Sequence, residues 1–364
     1  MSSEIDHFCL GRQSDLLLYI YIIMRFIIIN ICFGLLCLSC TQSKREIVFP
    51  QTENVKVTLL GDSSIIGIPL DMAKYHNFLL IGDFYGDSLI WVFDVSKNKM
   101  MKRWVGKGRG PDEFQSPIQM VFIDSILTIQ GRSLFTFGKF HINRSSLTLE
   151  SVESFVHVPT DVDRLYPLSA DIYIASGRFK EGRYALLNHE GKIVSHFGTY
   201  PNYKAGEDRI PNFPKFMFHQ SMFTYNFKSE RLASTTAHVL EFINFSESPP
   251  KIEKQILLSN YDYTYDSTDE WAFAQAVDNT QIGVTYVCST ENYIYLVYDP
   301  NIENDSDKRA ENNQIWIFDW DGNPIKKIQP DVHIRNIFVE DDDKTVYCTV
   351  DAPDPAIAFF EITI

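Results

Sequence analysis

The chain has 364 residues and a formal net charge of −14, and 45% of its residues are hydrophobic. This length allows one large all-β domain or two ordinary domains. The acidic balance argues against nucleic acid as a partner, because the phosphates would be repelled. Aromatic residues make up 14% of the chain, and such residues favour β-strands.

The N-terminal region has the features of an export signal. Residues Leu16–Leu38 are nearly all apolar, and a run of this length can span a bilayer. However, the basic residue after Met24, the apolar run behind it and Ser39 before Cys40 match a signal peptide that starts at Met24. We therefore predict a leader over residues 1–40, with an uncleaved membrane anchor as the alternative.

Cys40 resembles the acylated cysteine of a bacterial lipobox, because it follows Leu38 and Ser39. The resemblance implies that the membrane is a partner through acylated Cys40 and that the rest of the chain lies outside the cytoplasm. Several acyl chains would anchor the protein firmly. We expect a polar tether over residues 41–53 and an outer-membrane location, with the periplasmic or surface side left open.

From Glu46 onward, short apolar runs alternate with turn residues, which indicates a sandwich, a barrel or a propeller. One element is an alternating run that ends in a polar residue or glycine. Its copies are Phe78–Asp83, Ser125–Gly131, Asp171–Gly177, Tyr293–Asp299, Thr345–Asp351 and a looser one near Leu232–Thr236. A second element, two strands joined by a turn such as Asp-Gly, follows it. Six repeated units of four strands are typical of a propeller.

The ends of the chain predict how the ring closes. The last unit contains a strand at Ala356–Ile362 but no outer strand, and Asn54–Leu60 is a strand without a unit of its own. We predict an all-β, six-bladed β-propeller of four-stranded antiparallel blades over residues 54–364, closed by this N-terminal strand, which completes the last blade. Closure removes an open sheet edge. Two stacked sandwiches are the alternative.

The segment Trp104–Pro117, WVGKGRGPDEFQSP, carries a family resemblance. Its glycine-rich loop, phenylalanine and proline before the next strand look like the blade junction of NHL-type propellers. Together with the Cys40 leader, residues 46–364 resemble the TolB-like six-bladed propeller lipoproteins of Bacteroidetes. The resemblance implies the fold and the export route, and it implies no established activity.

In propellers of this kind, the loops after the second strands and the junctions between units share one face around the central channel, where ligands usually bind. We predict that charged residues at these positions form a ligand-binding face. They are Asp83, Lys107, Arg109, Asp112, Glu113, Arg132, Arg178, Asp299 and Asp351. A ring of mixed charges suits a polar ligand such as a sugar or a peptide. The alternative is that these residues pair within their own loops or cap turns.

Metal and thiol chemistry have little support in the sequence. No two histidines after Cys40 stand at the spacing of a HExxH or CxxC motif, and the acidic run Asp299–Asp307 lacks the glycine and final glutamate of an EF-hand. We predict no catalytic residue, no metal site and no cofactor, with zinc or calcium as the alternative. Cys288 and Cys348 lie in apolar runs, so we expect two buried thiols instead of a disulfide.

The insertion Asn260–Gln281 contains Tyr261, Tyr263, Tyr265 and Trp271 among carboxylates. Exposed aromatic residues beside carboxylates suit carbohydrate stacking. The alternative is that they pack as a loop over blade 4 or 5.

Three functions fit these observations. The first is a non-enzymatic, monomeric binding or scaffold propeller of the cell envelope that contacts a glycan, a peptide or a partner protein. The second is an NHL-like metal-dependent lyase or hydrolase with its site in the central channel, which requires at least three His, Asp or Glu side chains to converge. The third is a sensor that works with a neighbouring transport system.

Overall fold

The computed structural model describes residues 47–61, 67–110, 113–303, 312–351 and 354–364. The predicted leader, Cys40 and Asp112 lie outside the described residues. The described residues of the unit Ile47–Ile364 form six small, mainly antiparallel sheets. The innermost strand of each sheet contacts the innermost strands of both neighbouring sheets, and these contacts close a ring. The predicted six-bladed β-propeller is therefore confirmed.

Blades 1 to 3 each begin at the centre of the ring and add strands toward the rim. Blade 1 comprises β3 (Pro69–Tyr75), β4 (Phe78–Asp83), β5 (Ser88–Asp94), β6 (Lys99–Lys107) and β7 (Glu113–Phe114). Blade 2 comprises β8 (Ile118–Ile123), β9 (Ile126–Gly131), β10 (Thr136–Asn143) and β11 (Thr148–Ser151), with β12 (Val156–His157) beside β10. Blade 3 comprises β13 (Val162–Pro167), β14 (Ile172–Gly177), β15 (Tyr184–Asn188) and β16 (Ile193–Phe197).

Blades 4 to 6 repeat this order. Blade 4 comprises β17 (Met222–Asn226), β18 (Arg231–Thr235), β19 (Val239–Asn244) and β20 (Lys251–Leu257). Blade 5 comprises β23 (Gln281–Ser289), β24 (Tyr293–Ile302), β25 (Gln314–Asp319) and β26 (Pro324–Pro330). Blade 6 comprises β27 (His333–Val339), β28 (Thr345–Asp351) and β29 (Pro355–Glu361).

The N-terminal segment closes the ring with two strands instead of one. β2 (Thr58–Leu60) pairs antiparallel with β29, which confirms that the segment completes the last blade. β1 (Thr52–Val55) instead pairs in parallel with β26 of blade 5. Before it, Phe49 packs against Trp316 with ring centroids 5.2 Å apart. The last residues of the predicted tether thus contribute a strand and core contacts.

The core lies between the blades. The two middle strands of blade 1, β4 and β5, are buried along almost their whole length, whereas the outer strand β6 is mostly half-buried or exposed. Side chains of adjacent blades share one cluster, as Leu80 and Ile90 of blade 1 do with Leu127 and Ile129 of blade 2. Because neighbouring blades cover both faces of a middle strand, its sequence is a continuous apolar run.

The upper face of the ring carries the turns after the second strands and the junctions between blades; the opposite face is the lower face. Two insertions lie on the upper face. The junction of blades 3 and 4 contains a 3-10 turn, Glu207–Arg209, and helix α1 (Asn212–Phe218), and the next junction contains a hairpin of β21 (Tyr263–Ser267) and β22 (Ala272–Ala276). In the described part of the chain, no helix is both long and apolar enough to cross a membrane.

Candidate functional site

The central channel encloses a cavity of about 520 Å³ that is lined by the innermost strands of all six blades. This volume lies in the range of small-molecule sites, which is roughly 300 to 1,000 Å³. Five polar side chains lie at its upper end, close to the starts of the inner strands. We call them the channel-mouth cluster; they are Asp71, Gln119, Arg132, Asp163 and Arg164.

β-Bulges accompany three of the channel side chains. The pairing register shifts near the starts of β3 and β13 and within β23, beside Asp71, Arg164 and Tyr286. A bulge bends its strand and redirects the adjacent side chain. All three of these side chains line the cavity, so the bulges occur where the inner strands supply polar groups to the channel.

Tyr286 joins two blades that are not neighbours in the ring. It belongs to blade 5, and its hydroxyl donates a hydrogen bond of 2.8 Å to Asp71 Oδ1 in blade 1. Asp71 also accepts hydrogen bonds from the backbone N–H groups of Met120 and Met72, at 2.6 and 3.0 Å. Burial nevertheless raises the pKa of Asp71 from 3.8 to about 6, because desolvation of the carboxylate outweighs these bonds.

Two arginines of the cluster share one carboxylate. Arg132 Nη2 lies 2.6 Å from Asp163 Oδ1, whereas Arg164 Nε is 3.9 Å from Asp163 Oδ2. Burial and, second to it, the positive charge of Arg132 lower the pKa of Arg164 to about 10. The second guanidinium therefore lacks a close counter-charge of its own.

A buried glutamine holds this part of blade 3 in place. Gln130 of β9 accepts a hydrogen bond from the Leu165 N–H at 2.8 Å and donates one to the Asp163 carbonyl oxygen at 3.1 Å. These two bonds fix the backbone on either side of Arg164. Gln130 thus positions the two charged residues of blade 3 from blade 2.

Several polar atoms of the channel-mouth cluster are buried without a hydrogen-bond partner among the described residues. They are Gln119 Oε1, Arg132 Nε, Asp163 Oδ2 and Arg164 Nε. Buried polar groups normally have partners, so each of these atoms requires an explanation. The two N–H groups can donate to an anionic or carbonyl oxygen, and the two oxygens can accept from a hydroxyl or an N–H group.

A second polar cluster lies beneath the two insertions of the upper face. We call it the Glu207 cluster; it consists of Glu207, His219, Tyr261 and Tyr263. Glu207 is completely buried. Its carboxylate contacts His219 Nε2 at 2.8 Å and accepts hydrogen bonds from both tyrosine hydroxyls, at 2.8 and 3.0 Å. The backbone N–H groups of residues 203 and 204 complete its shell.

The pKa values of the Glu207 cluster follow from these contacts. Desolvation alone would raise the pKa of Glu207, but the bond to His219 and the further donors outweigh it, and the pKa falls to about 2. Burial is the main cause of the lowered pKa of His219. Glu207 is therefore an ionised carboxylate that binds the two insertions together.

A buried ion pair lies close to this cluster. Arg183 Nη2 is 2.8 Å from Glu241 Oε2, and both side chains are at most 1% exposed. Tyr184 and Gln255 donate hydrogen bonds to the same carboxylate, at 2.5 and 2.6 Å. The pair connects blade 3 to blade 4. It acts as a structural link, because the carboxylate is saturated by protein donors.

Among the described residues, no group of three or more His, Cys, Asp or Glu side chains could hold a metal ion. Cys288 and Cys348 are free thiols, the first half-buried and the second buried. Burial raises the pKa of Cys288 to about 12, so this thiol is inert at neutral pH.

A family described as TolB-like 6-blade propeller-like matches residues 48–342. The chain belongs to the TolB-like propeller family. No curated protein matches the sequence.

One solved structure shows the fold of this TolB-like propeller, and a second has a lower similarity score. A candidate exported protein of Bacteroides fragilis is similar with a TM-score of 0.52 and 11% identity, over 86% of this chain and 99% of that one. Raptor of Chaetomium thermophilum is similar with a TM-score of 0.49 and 13% identity, over 84% of this chain but 29% of Raptor. The identities are low, so the first likeness describes the fold alone.

The TolB-like propeller brings few of the sequence-predicted residues together. Arg132 lies in the channel-mouth cluster. Arg178 donates to the Thr160 carbonyl oxygen at 2.7 Å and lines a separate groove near α1. Arg109 and Glu113 line a pocket between blades 1 and 2, and there Glu113 accepts a hydrogen bond from the Gly110 N–H at 2.8 Å.

The remaining candidates of the TolB-like propeller make local contacts. Asp83 accepts hydrogen bonds from three backbone N–H groups and from the Trp91 indole. Asp299 accepts two bonds from Asn301, and Asp351 pairs with Arg335 at 2.7 Å. Exposed Lys107 donates to the Phe84 carbonyl oxygen at 3.4 Å. Each of these contacts lies within a single blade or its adjoining loop.

Sequence reasoning missed most of the channel-mouth cluster. Asp71, Gln119, Asp163 and Arg164 lie near the starts of inner strands, not at the ends of second strands. The signal was a charged or amide residue inside an otherwise apolar inner strand, as in VDRLYP of β13. The β-bulges that turn such residues toward the channel are not predicted by a comparable sequence pattern.

The insertion Asn260–Gln281 divides into two groups of aromatic residues. Tyr261 and Tyr263 belong to the Glu207 cluster, and Tyr263 stacks on Phe218 at a centroid distance of 4.1 Å. Tyr265 and Trp271 are 44% and 47% exposed. The insertion is thus a packed loop at its base and an open aromatic surface toward its tip.

Proposed function

We propose that this TolB-like propeller is a binding protein of the cell envelope that holds a small ligand, or the end of a peptide or glycan, in the upper mouth of its channel. One observation carries the proposal. Four polar atoms of the channel-mouth cluster are buried without a hydrogen-bond partner in the part of the chain that the structure describes, and they come from neighbouring blades. A bound ligand would satisfy donors and acceptors that the protein leaves open.

The chemistry of these atoms defines the ligand class. Arg132 and Arg164 share a single carboxylate, so a ligand oxygen with negative charge would relieve their mutual repulsion. Asp163 Oδ2 and Gln119 Oε1 would accept from a hydroxyl or N–H group of the same ligand. A uronic acid or the C-terminus of a peptide offers both kinds of group.

Ligand pairs that differ in one group test this proposal. Calorimetric titration of the purified full chain should detect binding of glucuronate but not of glucose, and of N-acetylalanine but not of its amide. Arg164→Met and Arg132→Met should each weaken binding at least tenfold, which is about 1.4 kcal/mol. Arg178→Met, outside the channel, is the matched control. Binding that survives both channel substitutions would contradict the proposal.

The envelope location rests on Cys40 and on the preceding signal-like segment. A lipid anchor at Cys40 would place the propeller at a membrane surface outside the cytoplasm. Cells fed a labelled fatty acid should incorporate the label into the wild-type chain and into a Cys37→Ala variant, but not into Cys40→Ala. Equal labelling of both variants would refute the anchor without affecting the channel site.

An enzymatic role in the channel is the weaker candidate. It needs a converging set of acid–base or metal-binding groups, and the channel-mouth cluster supplies two carboxylates and two arginines without a histidine. Binding of the acidic probes without turnover is therefore the expected result.

A further inference from the structure

The hairpin β21–β22 is a rigid projection of the upper face. Tyr263 at its base is 1% exposed, stacks on Phe218 of α1 and donates a hydrogen bond to Glu207. Lys204 forms an ion pair with Asp262 just before the hairpin. Because the base is fixed by these contacts, side chains farther out are held in place before any partner arrives, which lowers the entropic cost of binding.

Three large aromatic side chains of the hairpin are open to solvent. Tyr265, Trp271 and Phe273 are 44%, 47% and 49% exposed. Trp271 and Phe273 are two residues apart, so they point to the same side of the hairpin. Rigid aromatic side chains that remain exposed at a protein surface mark interaction sites.

In the sequence around these rings, all charged residues have one sign. Between Lys254 and Lys308 the sequence has no lysine or arginine but ten aspartates and glutamates. Asp266 lies directly opposite Phe273 in the hairpin, and Asp269 and Glu270 form its tip. None of these three carboxylates forms an ion pair with a described residue, in contrast to Asp262.

We infer that the outer face of this hairpin binds a lysine- and arginine-rich polypeptide segment of a partner protein. Arginine and lysine side chains would stack over Trp271 and Phe273 as cation–π pairs, and their charges would meet the unpaired carboxylates beside the rings. A neutral glycan could stack on the rings but would gain nothing from these charges. An acidic glycan would be repelled. This surface is separate from the channel mouth and does not depend on the channel ligand.

A matched pair of synthetic peptides provides the test. One is a ten-residue peptide of alternating arginine and serine, and the other has citrulline, which is neutral and nearly isosteric, at every arginine position. Fluorescence anisotropy with the full chain should show binding of the arginine peptide and at least tenfold weaker binding of the citrulline peptide. Binding should weaken as the salt concentration rises.

Variants then locate the surface. Trp271→Ala and Phe273→Ala should each weaken peptide binding about threefold to tenfold, the size of one exposed cation–π contact together with its buried area. Phe227→Ala is the matched control, because Phe227 is also 49% exposed but follows β17 on the lower face. The double variant Asp269→Asn, Glu270→Gln should weaken binding and reduce its salt dependence while leaving the aromatic rings in place.

The inference would be overturned by three results. The first is the absence of saturable binding of the arginine peptide. The second is binding that Trp271→Ala, Phe273→Ala and the double variant leave unchanged. The third is binding of a neutral oligosaccharide, and not of the arginine peptide, that depends on Trp271. Melting temperatures of all variants should stay close to wild type, since the replaced side chains are about half exposed or more.

Discussion

The channel-mouth cluster and the Glu207 cluster both contain carboxylates but satisfy their polar atoms differently. Glu207 is surrounded by donors from five groups of the protein. In the channel mouth, Asp163 Oδ2 and the Nε atoms of Arg132 and Arg164 have no hydrogen-bond partner among the described residues. A saturated carboxylate such as Glu207 stabilises the fold, whereas unsaturated polar groups at a cavity are suited to a ligand. His219 Nδ1 and the Nε and Nη1 atoms of Arg183 also have no hydrogen-bond partner among the described residues, but these side chains do not line the channel cavity.

Glu207 and Asp71 have pKa values shifted in opposite directions, because hydrogen-bond donors outweigh burial only at Glu207. The pKa of Glu207 falls to about 2 because donors surround it. The pKa of Asp71 rises to about 6 because burial outweighs its three hydrogen bonds. The protein is stabilised by ionised Glu207, and it is destabilised when Asp71 ionises.

The largest expected effect is in the Glu207 cluster. Glu207→Ala removes the acceptor shared by His219, two tyrosines and two backbone N–H groups, and it should lower the free energy of unfolding by about 3 to 5 kcal/mol. Urea unfolding measures this. Glu113→Ala, which removes an acceptor at a half-buried loop position, should cost less than about 1 kcal/mol. Equal losses would mean that the saturated cluster has no special structural role.

The pH dependence of stability sharpens the comparison. Because the pKa of Asp71 is raised, the folded protein keeps a proton that the unfolded chain releases between about pH 4 and pH 6. The free energy of unfolding therefore falls as the pH rises through this range, by roughly 3 kcal/mol in total. Asp71→Asn should remove this fall. Glu207 has the opposite sign: its contribution is present above about pH 4.5 and is lost as the pH falls toward 2. A wild-type and Asp71→Asn pair with parallel pH profiles between pH 4 and 6 would contradict the assignment.

A smaller effect is expected at the bond across the channel. Tyr286→Phe removes the hydroxyl that donates to Asp71 but keeps the ring, and it should cost about 1 to 2 kcal/mol at pH 7. The penalty should shrink below pH 5, where Asp71 is protonated. A loss of unfolding free energy that does not depend on pH would show that the hydrogen bond to ionised Asp71 is not its cause.

The smallest effect on stability is expected in the channel mouth itself. Arg164 is half-buried, and its Nε has no hydrogen-bond partner among the described residues, so Arg164→Met should change the free energy of unfolding by less than about 1 kcal/mol in either direction. Arg183→Met is the contrasting variant, because it leaves Glu241 buried without its counter-charge and should cost about 3 to 5 kcal/mol. Similar losses in the two variants would remove the distinction between ligand-binding and structural arginines.

The architecture could be predicted from the sequence because it depends on local patterns repeated along the chain. The second strands at Phe78–Asp83 and Thr345–Asp351 have the predicted bounds. The sequence predicts a single strand for the N-terminal segment, but the structure has two. The break between Val55 and Thr58 arises because the two parts of the segment pair with two different blades. That choice depends on distant strands and leaves no local pattern.

The site was harder to predict for the same reason. Asp71, Asp163 and Arg164 are far apart in sequence or hidden inside apolar strands, and they meet through ring closure and β-bulges. A charged residue in a strand can equally be a solvent-facing residue of an outer strand. Only the position of the strand within its blade separates the two cases.

The most direct test of the central claim is to observe the unpartnered guanidinium groups themselves. Two-dimensional nitrogen–proton NMR of the arginine Nε–H groups, assigned with Arg132→Lys and Arg164→Lys, can follow both signals during titration with glucuronate or N-acetylalanine. The account predicts that these two signals shift and gain protection from exchange while those of Arg178 and Arg183 stay unchanged. If an acidic ligand binds the protein but neither signal responds, the channel mouth is not its binding site, and the account is contradicted.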